Sequence, residues 1–129
     1  MQKDDYDNRR RYKRTYFTME DGINGLFCLA DNEGEVFKGN VMNLSGGGLG
    51  ITASKDETDK YKVHDVFKII KIKGNSYLGF LDGLYMETKW VLDHDELEHY
   101  GYGCEFGEID ENIRDQVINF VNNRSQSEK

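Results

Sequence analysis

Short runs of β-branched and aromatic residues recur along the chain from residue 15 onward, separated by polar and glycine-containing turns. Runs of this kind, each bounded by turn residues, are typical of β-strands. They predict seven strands, at residues 15–19, 25–30, 35–43, 48–53, 66–72, 84–92 and 100–106. No helical pattern lies between these runs, which disfavours parallel strands joined by helices. The pattern therefore predicts a mainly β protein, a small antiparallel β-barrel of six or seven strands.

One α-helix is predicted at the end of the barrel sequence, over residues 110–121. Asp110 is suited to the N-cap position, because its side chain can accept hydrogen bonds from the first free N–H groups. The apolar residues that follow recur at helical spacing: Ile113, Val117, Phe120 and Val121. This spacing places them on one face, which we expect to pack against the barrel.

A chain of 129 residues fits one domain. We expect residues 1–8 to form a flexible lead-in, residues 9–121 to form the domain with an arm at 9–15, and residues 122–129 to form a polar tail. No stretch approaches the ~20 apolar residues of a membrane helix, and the N-terminus lacks the apolar centre of a signal peptide. These features predict a cytoplasmic protein with no membrane insertion.

The charge of the chain is unevenly distributed. Residues 1–14 carry six basic and three acidic side chains, a net charge of +3. Residues 15–129 carry 11 basic and 21 acidic side chains, a net charge of −10. A basic cluster attached to an acidic body indicates contact with a specific anion. A surface that binds duplex nucleic acid needs positive charge over a larger area.

No catalytic machinery is visible in the sequence, and we expect the protein not to be an enzyme. Cys28 and Cys104 lie inside apolar runs and are expected to be buried free thiols. His94 and His99 lie in an acidic segment that is better explained as a solvated loop than as a metal site. Trp90 lies in a strand pattern and is expected either in the core or on a wall that faces a ligand.

Two short motifs carry the candidate chemistry. The first is Arg10-Arg11-Tyr12-Lys13-Arg14, and the second is Asn43-Leu44-Ser45-Gly46-Gly47-Gly48 at the end of a strand. Each alone is common, since basic clusters occur in tails and glycine-rich turns occur in β proteins. The second motif is not a P-loop, because no lysine follows its glycines, and no helix follows it as in a dinucleotide-binding fold.

Together the two motifs resemble the PilZ domain family, which carries RxxxR on an arm ahead of a β-barrel and (D/N)xSxxG after an early strand. Both patterns match at every defining position and in the right order. Leu49-Gly50-Ile51 and the glycine-led run 101–106 also resemble the family, and the likeness covers about residues 9–121. The resemblance implies a bacterial receptor for the second messenger cyclic di-GMP, with no other cofactor.

The resemblance also implies the ligand-binding residues, which are Arg9, Arg10, Arg11, Arg14, Asn43, Ser45, Gly47 and Gly48. Arginine can bind phosphate bidentately, match O6 and N7 of guanine, or stack on a base. An amide at position 43 can pair with a guanine edge, and the hydroxyl at 45 can add a contact. Glycines 46–48 are expected to allow close approach and to take positive φ values. An extra arginine at position 9 is associated in the family with two bound ligand molecules.

The arm, with no apolar side chain before Tyr12, is expected to be loosely held until a dianionic ligand neutralises its arginines and orders it. The sequence shows no output domain, so an unidentified downstream protein would carry the signal to motility, biofilm formation or exopolysaccharide production. Three other interpretations stay open. One is a PilZ-fold interaction module that does not bind nucleotide. The second is a β-barrel that binds single-stranded nucleic acid, which the acidic body disfavours. The third and weakest is an enzyme that acts on a nucleotide, which the lack of an acid–base pair disfavours.

Overall fold

In the computed structural model, the backbone is described for residues 12–127 and the side chains for residues 12–124. The strands are β1 (Arg14–Tyr16), β2 (Asn24–Leu29), β3 (Asn32–Ser45), β4 (Gly48–Ser54), β5 (Val66–Lys73), β6 (Tyr85–Leu92) and β7 (His99–Phe106). One α-helix, α1 (Glu111–Ser127), follows β7. Short 3₁₀ segments at Met19–Asp21 and Ser76–Leu81 interrupt the strands, so the expectation that nothing helical lies between them was wrong.

The strands form one antiparallel sheet in the order β1-β3-β2-β5-β6-β7-β4, and the pairing of β3 with β4 closes six of them into a barrel. The prediction of a six- or seven-stranded antiparallel barrel is therefore confirmed. β1 is the extra strand and pairs only with the end of β3, from Arg14 opposite Ser45 to Tyr16 opposite Asn43. This pairing extends the sheet beside the β3–β4 turn, where the two sequence motifs meet.

Alternation along the strands fills the barrel with apolar side chains and leaves the other face of each strand to solvent. The largest fully buried side chains include Phe27, Leu44, Leu49, Phe67, Ile69, Met86 and Tyr102. A cluster of aromatic rings closes one part of the core, with ring centroids 4.8 Å apart for Phe37 and Tyr61 and 5.1 Å apart for Tyr61 and Phe67. Cys28 and Cys104 are buried free thiols, as predicted.

α1 begins as the sequence predicts. Oδ1 of Asp110 accepts a hydrogen bond from the backbone N–H of Asn112 at 2.7 Å, and Val117 and Val121 are fully buried. The helix does not end at Val121, however, but continues to Ser127, so most of the expected polar tail is helical. Within the described part of the chain, no helix has the length and apolar character needed to cross a bilayer.

Two strand boundaries also differ from the sequence pattern. β1 ends at Tyr16 because a 3₁₀ turn capped by Thr18 follows it, whereas the predicted strand ran to Met19. β3 runs from Asn32 to Ser45, five residues longer than predicted, because the β2–β3 connection is a two-residue turn and pairing resumes at once. This long strand pairs first with β2, and its last residues lie between β1 and β4.

Candidate functional site

A cleft of about 700 Å³ lies on the outer surface of the barrel, between β1, the β3–β4 turn, β6, β7 and α1. Five of the eight predicted site residues line it: Arg14, Asn43, Ser45, Gly47 and Gly48. The other three, Arg9, Arg10 and Arg11, lie outside the described residues. The structure thus brings the described part of both motifs to one surface.

Arg14 and Asn43 form one wall of the cleft. They lie on adjacent strands, and Nη1 of Arg14 donates a hydrogen bond to Oδ1 of Asn43. This contact uses the amide oxygen and leaves the Asn43 NH₂ group as a donor on the cleft surface. The guanidinium keeps further N–H donors, so the pair presents a planar cation and an amide side by side.

The connection between β3 and β4 is the two-residue turn Gly46–Gly47. Oγ of Ser45 accepts a hydrogen bond from the N–H of Gly47 at 3.2 Å, so part of the Ser45 hydroxyl is committed to the turn. The Gly46 carbonyl accepts from Nη1 of Arg114 at 2.7 Å, and the Gly47 carbonyl accepts from the N–H of Phe106 at 2.9 Å. The turn is therefore held from α1 and β7 as well as by its own strands.

At Gly46 of this turn, glycine is required by close packing and not by the backbone dihedral angles. Positive φ values among the described glycines occur at Gly22, Gly74 and Gly83, so the expectation of positive φ values at residues 46–48 was wrong. A Cβ at Gly46 would lie 2.8 Å from the Tyr12 ring and 3.0 Å from Ile118. The ring of Tyr12 thus packs directly on the turn, and a side chain at Gly46 would push it away.

Gly48 has a structural role in the barrel. A Cβ there would lie 2.0 Å from the carbonyl oxygen of Cys104, on the neighbouring strand β7. Backbone atoms cannot give way as the end of a side chain can, so glycine is needed for β4 and β7 to pair.

The floor of the cleft is a row of paired residues across five strands: Tyr16, Asn43, Gly50, Gly103 and Trp90. With neighbouring strands ~4.8 Å apart, the row spans roughly 19 Å along the barrel surface. Two glycines lie at its centre, and aromatic rings stand at both ends. The Tyr16 side chain is 67% exposed and that of Trp90 is 50% exposed.

A neighbouring side chain occupies the space above each of the two glycines of the floor. A Cβ at Gly50 would lie 2.6 Å from Nδ2 of Asn43, so the amide lies over this glycine. A Cβ at Gly103 would lie 2.0 Å from Nε1 of Trp90, so the indole covers that glycine in the same way. Trp90 therefore lies on the wall of the cleft, and the alternative placement in the core is excluded.

The cleft carries mixed charge with an excess of cations. Arg14, Lys89 and Arg114 line it, against the single carboxylate of Glu105 among the described lining residues. Beneath the floor, burial raises the pKa of the Cys104 thiol to about 12. This thiol therefore stays protonated at neutral pH and is not a nucleophile.

The motifs alone did not identify Arg114, Lys89, Gly50 and Gly103 as lining or shaping the cleft. Gly50 and Gly103 lay in segments that resemble the family, but only the strand register shows which side chains cover them. Arg114 is 68 residues from the turn that it binds, and nothing in the local sequence indicates that contact.

Similar solved structures share this fold. The Bacillus subtilis inhibitor of motility, MotI/DgrA, matches with a TM-score of 0.68 and 15% identity over 94% of this chain and 53% of its own. The PilZ domain of Escherichia coli YcgR, with c-di-GMP, matches with a TM-score of 0.64 and 17% identity over 93% and 96%. MrkH of K. pneumonia, in a c-di-GMP complex, matches with a TM-score of 0.57 and 16% identity over 94% of this chain and 56% of its own.

This chain spans about half the length of MotI and of MrkH, and nearly all of the YcgR PilZ domain. No curated protein sequence gives a significant match. The family model of the PilZ domain matches residues 8–123, which include both motifs, the barrel and most of α1. The chain therefore belongs to the PilZ domain family.

Proposed function

We propose that the protein is a receptor for cyclic di-GMP and that the ligand binds in the cleft between β1 and Trp90. The observation that carries the proposal is the hydrogen bond between Arg14 and Asn43, because it joins the two family motifs on one wall of that cleft. The c-di-GMP complexes of the similar PilZ proteins YcgR and MrkH support the choice of ligand.

The chemistry of the cleft suits a compact dianion with two purine bases. Arg14, with the arginines that precede Tyr12 in the chain, supplies bidentate donors for phosphate oxygens and for guanine O6 and N7. Asn43 and Ser45 offer polar contacts to a guanine edge. A volume of about 700 Å³ lies within the range of small-molecule sites.

The glycine floor and its aromatic ends suit planar bases. The Asn43 amide lies over Gly50 and the Trp90 indole lies over Gly103, so a base that enters the cleft meets an amide and an aromatic ring. The exposed ring of Trp90 offers a stacking surface, as aromatic side chains do in nucleotide-binding proteins. Trp90 is the only tryptophan of the chain, so its fluorescence reports on this wall alone.

Ligand binding in this proposal orders the arm and passes the signal to a downstream protein. The four arginines at positions 9, 10, 11 and 14 repel one another, and two phosphates would neutralise them and so stabilise the arm beside Asn43. In this proposal the downstream protein controls motility, biofilm formation or exopolysaccharide production. Hydrogen exchange of residues 9–16 with and without cyclic di-GMP tests the ordering step.

Calorimetric titration with cyclic di-GMP tests the receptor proposal directly. We expect saturable binding, and a loss of roughly a hundredfold or more in affinity in the Arg10→Ala, Arg14→Ala double variant. The stoichiometry distinguishes one bound molecule from the two that Arg9 suggests. Tryptophan fluorescence should change over the same ligand range.

The matched control removes two lysines from exposed positions on the opposite side of the barrel, as Lys38→Ala, Lys71→Ala. It has the same change in net charge and should bind normally. Absence of heat and of any shift in Tm at high ligand concentration would rule out the receptor. An equal loss in the control would show that binding depends on total charge and not on the cleft.

A further inference from the structure

Two arginines on α1 hold the segment that carries Arg14. The first, Arg114, lies in the first turns of the helix. Its guanidinium carbon is 5.3 Å from the centre of the Tyr12 ring, and its Nη1 binds the Gly46 carbonyl at 2.7 Å. Arg114 therefore fixes the start of the segment against the β3–β4 turn.

The second arginine, Arg124, lies ten residues further along the same helix, ~15 Å along its axis. Its guanidinium carbon is 4.8 Å from the centre of the Phe17 ring. Its Nη2 donates to Oδ2 of Asp21 at 3.1 Å and lies 3.4 Å from the Tyr16 carbonyl oxygen. Arg124 thus fixes the other end of the segment, just after β1.

Between these two contacts lies β1, whose exposed side chains Arg14 and Tyr16 line the cleft. β1 has three residues and a single partner strand, so it has few ladder hydrogen bonds of its own. Packing on the helix adds to them, since the rings of Phe17 and Phe120 lie 6.4 Å apart. The position of Arg14 therefore depends on α1 as well as on β3.

We infer that Arg124 is a positioning residue for Arg14 and that α1 is thermodynamically coupled to the occupied cleft. Arg124 is not among the residues that line the cleft, so its effect on the ligand passes through β1. A looser β1 holds Arg14 in the binding position for a smaller fraction of the time, which weakens apparent affinity by that fraction. Because coupling is reciprocal, ligand binding should in turn stabilise α1.

This inference rests on the proposed receptor function and names the element that responds to it. Arginine suits the position because one planar fork can stack on Phe17 while it binds Asp21 and faces the Tyr16 carbonyl. Lysine keeps the charge and can pair with Asp21, but it lacks the planar group that covers the ring. The Arg124→Lys variant should therefore fall between wild type and Arg124→Ala.

The test measures cyclic di-GMP affinity for Arg124→Ala, Arg124→Lys and a control, Asn119→Ala, at an exposed position of the same helix. We expect Arg124→Ala to weaken binding about tenfold, and the control to bind as wild type. In an Arg14→Ala background the Arg124→Ala change should weaken binding little further, because Arg14, the side chain that Arg124 positions, is absent. Ligand should slow amide exchange across 111–124 in wild type, and less so in Arg124→Ala.

Unchanged affinity in Arg124→Ala would overturn the inference, and so would a full additional loss in the Arg14→Ala background. If Arg124→Ala fails to fold, Arg124→Lys carries the same comparison. If the wild-type protein does not bind cyclic di-GMP, the receptor proposal fails by itself. The positioning role is then decided by exchange of the Phe17 amide, which bonds to the Met42 carbonyl at 2.9 Å. Faster exchange in Arg124→Ala than in Asn119→Ala supports the role, and equal exchange rejects it.

Discussion

Arg14 donates a hydrogen bond to Asn43 across two adjacent strands, although 29 positions separate them in the chain. The bond exists because β1 pairs with the last residues of β3, which turns both side chains to the outer surface of the barrel. Neither residue is part of the core. A change at Asn43 should therefore affect binding more than stability.

Replacing Asn43 with alanine tests this separation. Loss of the amide removes the acceptor for Arg14 and one donor for the ligand, so we expect the affinity for cyclic di-GMP to fall by tenfold or more. The free energy of unfolding should change by less than about 1 kcal/mol, because the bond is exposed. Calorimetry and urea unfolding measure the two quantities. Asn40→Ala, on the same strand, should change neither binding nor the position of Arg14.

Replacing Gly50 with alanine tests the floor of the cleft. The new Cβ would lie 2.6 Å from Nδ2 of Asn43, so the amide must rotate away from its place over the strand. We expect weaker cyclic di-GMP binding with the fold retained, read by titration and by circular dichroism. Gly79→Ala is the control, because a Cβ at Gly79 meets no atom within 4 Å. Normal binding by Gly50→Ala would show that the ligand does not need the Asn43 amide in its place over Gly50.

Short runs of β-branched and aromatic residues between turn residues were sufficient to predict seven strands and a barrel, because such side chains pack well on a half-buried pleated sheet. The ends of β3 were not predictable in this way. Asn32 and Gly34 are typical of turns, and they lie in a strand only because pairing with β2 resumes directly after the turn at residues 30–31. At such positions cross-strand pairing outweighs the intrinsic preference of these residues for turns.

The last turns of α1 and part of the cleft were not predicted from the sequence, for a similar reason. Residues 122–127 carry no apolar stripe, yet the helix continues there and Arg124 pairs with Asp21 at 3.1 Å. Trp90 was recognised as a possible cleft wall, but only the strand register places its indole over Gly103. Contacts between distant segments leave no periodic signal in the sequence.

A third prediction concerns the core. The Tyr102 hydroxyl accepts a hydrogen bond from the backbone N–H of Tyr61 at 3.0 Å in a buried position. Tyr102→Phe keeps the ring but leaves that N–H without its acceptor, which should cost about 1–3 kcal/mol of unfolding free energy. Urea unfolding measures the cost. Tyr100→Phe, on the same strand and only partly buried, should cost much less. Equal costs would show that water replaces the Tyr102 hydroxyl.

The final prediction concerns acid pH and the loop beside the cleft strands. Nδ1 of His64 lies 2.6 Å from Oε2 of Glu87, and this hydrogen bond is the main reason that the pKa of Glu87 is lowered. A carboxyl whose pKa is lower in the folded state adds stability above its unfolded pKa of about 4.5, and loses it as the pH falls through the folded value. His64→Ala should therefore raise the Glu87 pKa toward 4.5, which an NMR titration of the side-chain carboxyl carbon measures.

The His64→Ala variant also controls for backbone strain at position 64. His64 has a φ of 80°, in the left-handed region, and alanine retains a Cβ and so keeps the cost of that conformation. The stability difference between wild type and His64→Ala should therefore shrink as the pH falls from 5.5 to 3, because protonated Glu87 no longer forms the ionic hydrogen bond. A difference that stays constant over this range would mean that the imidazole acts through packing and not through Glu87.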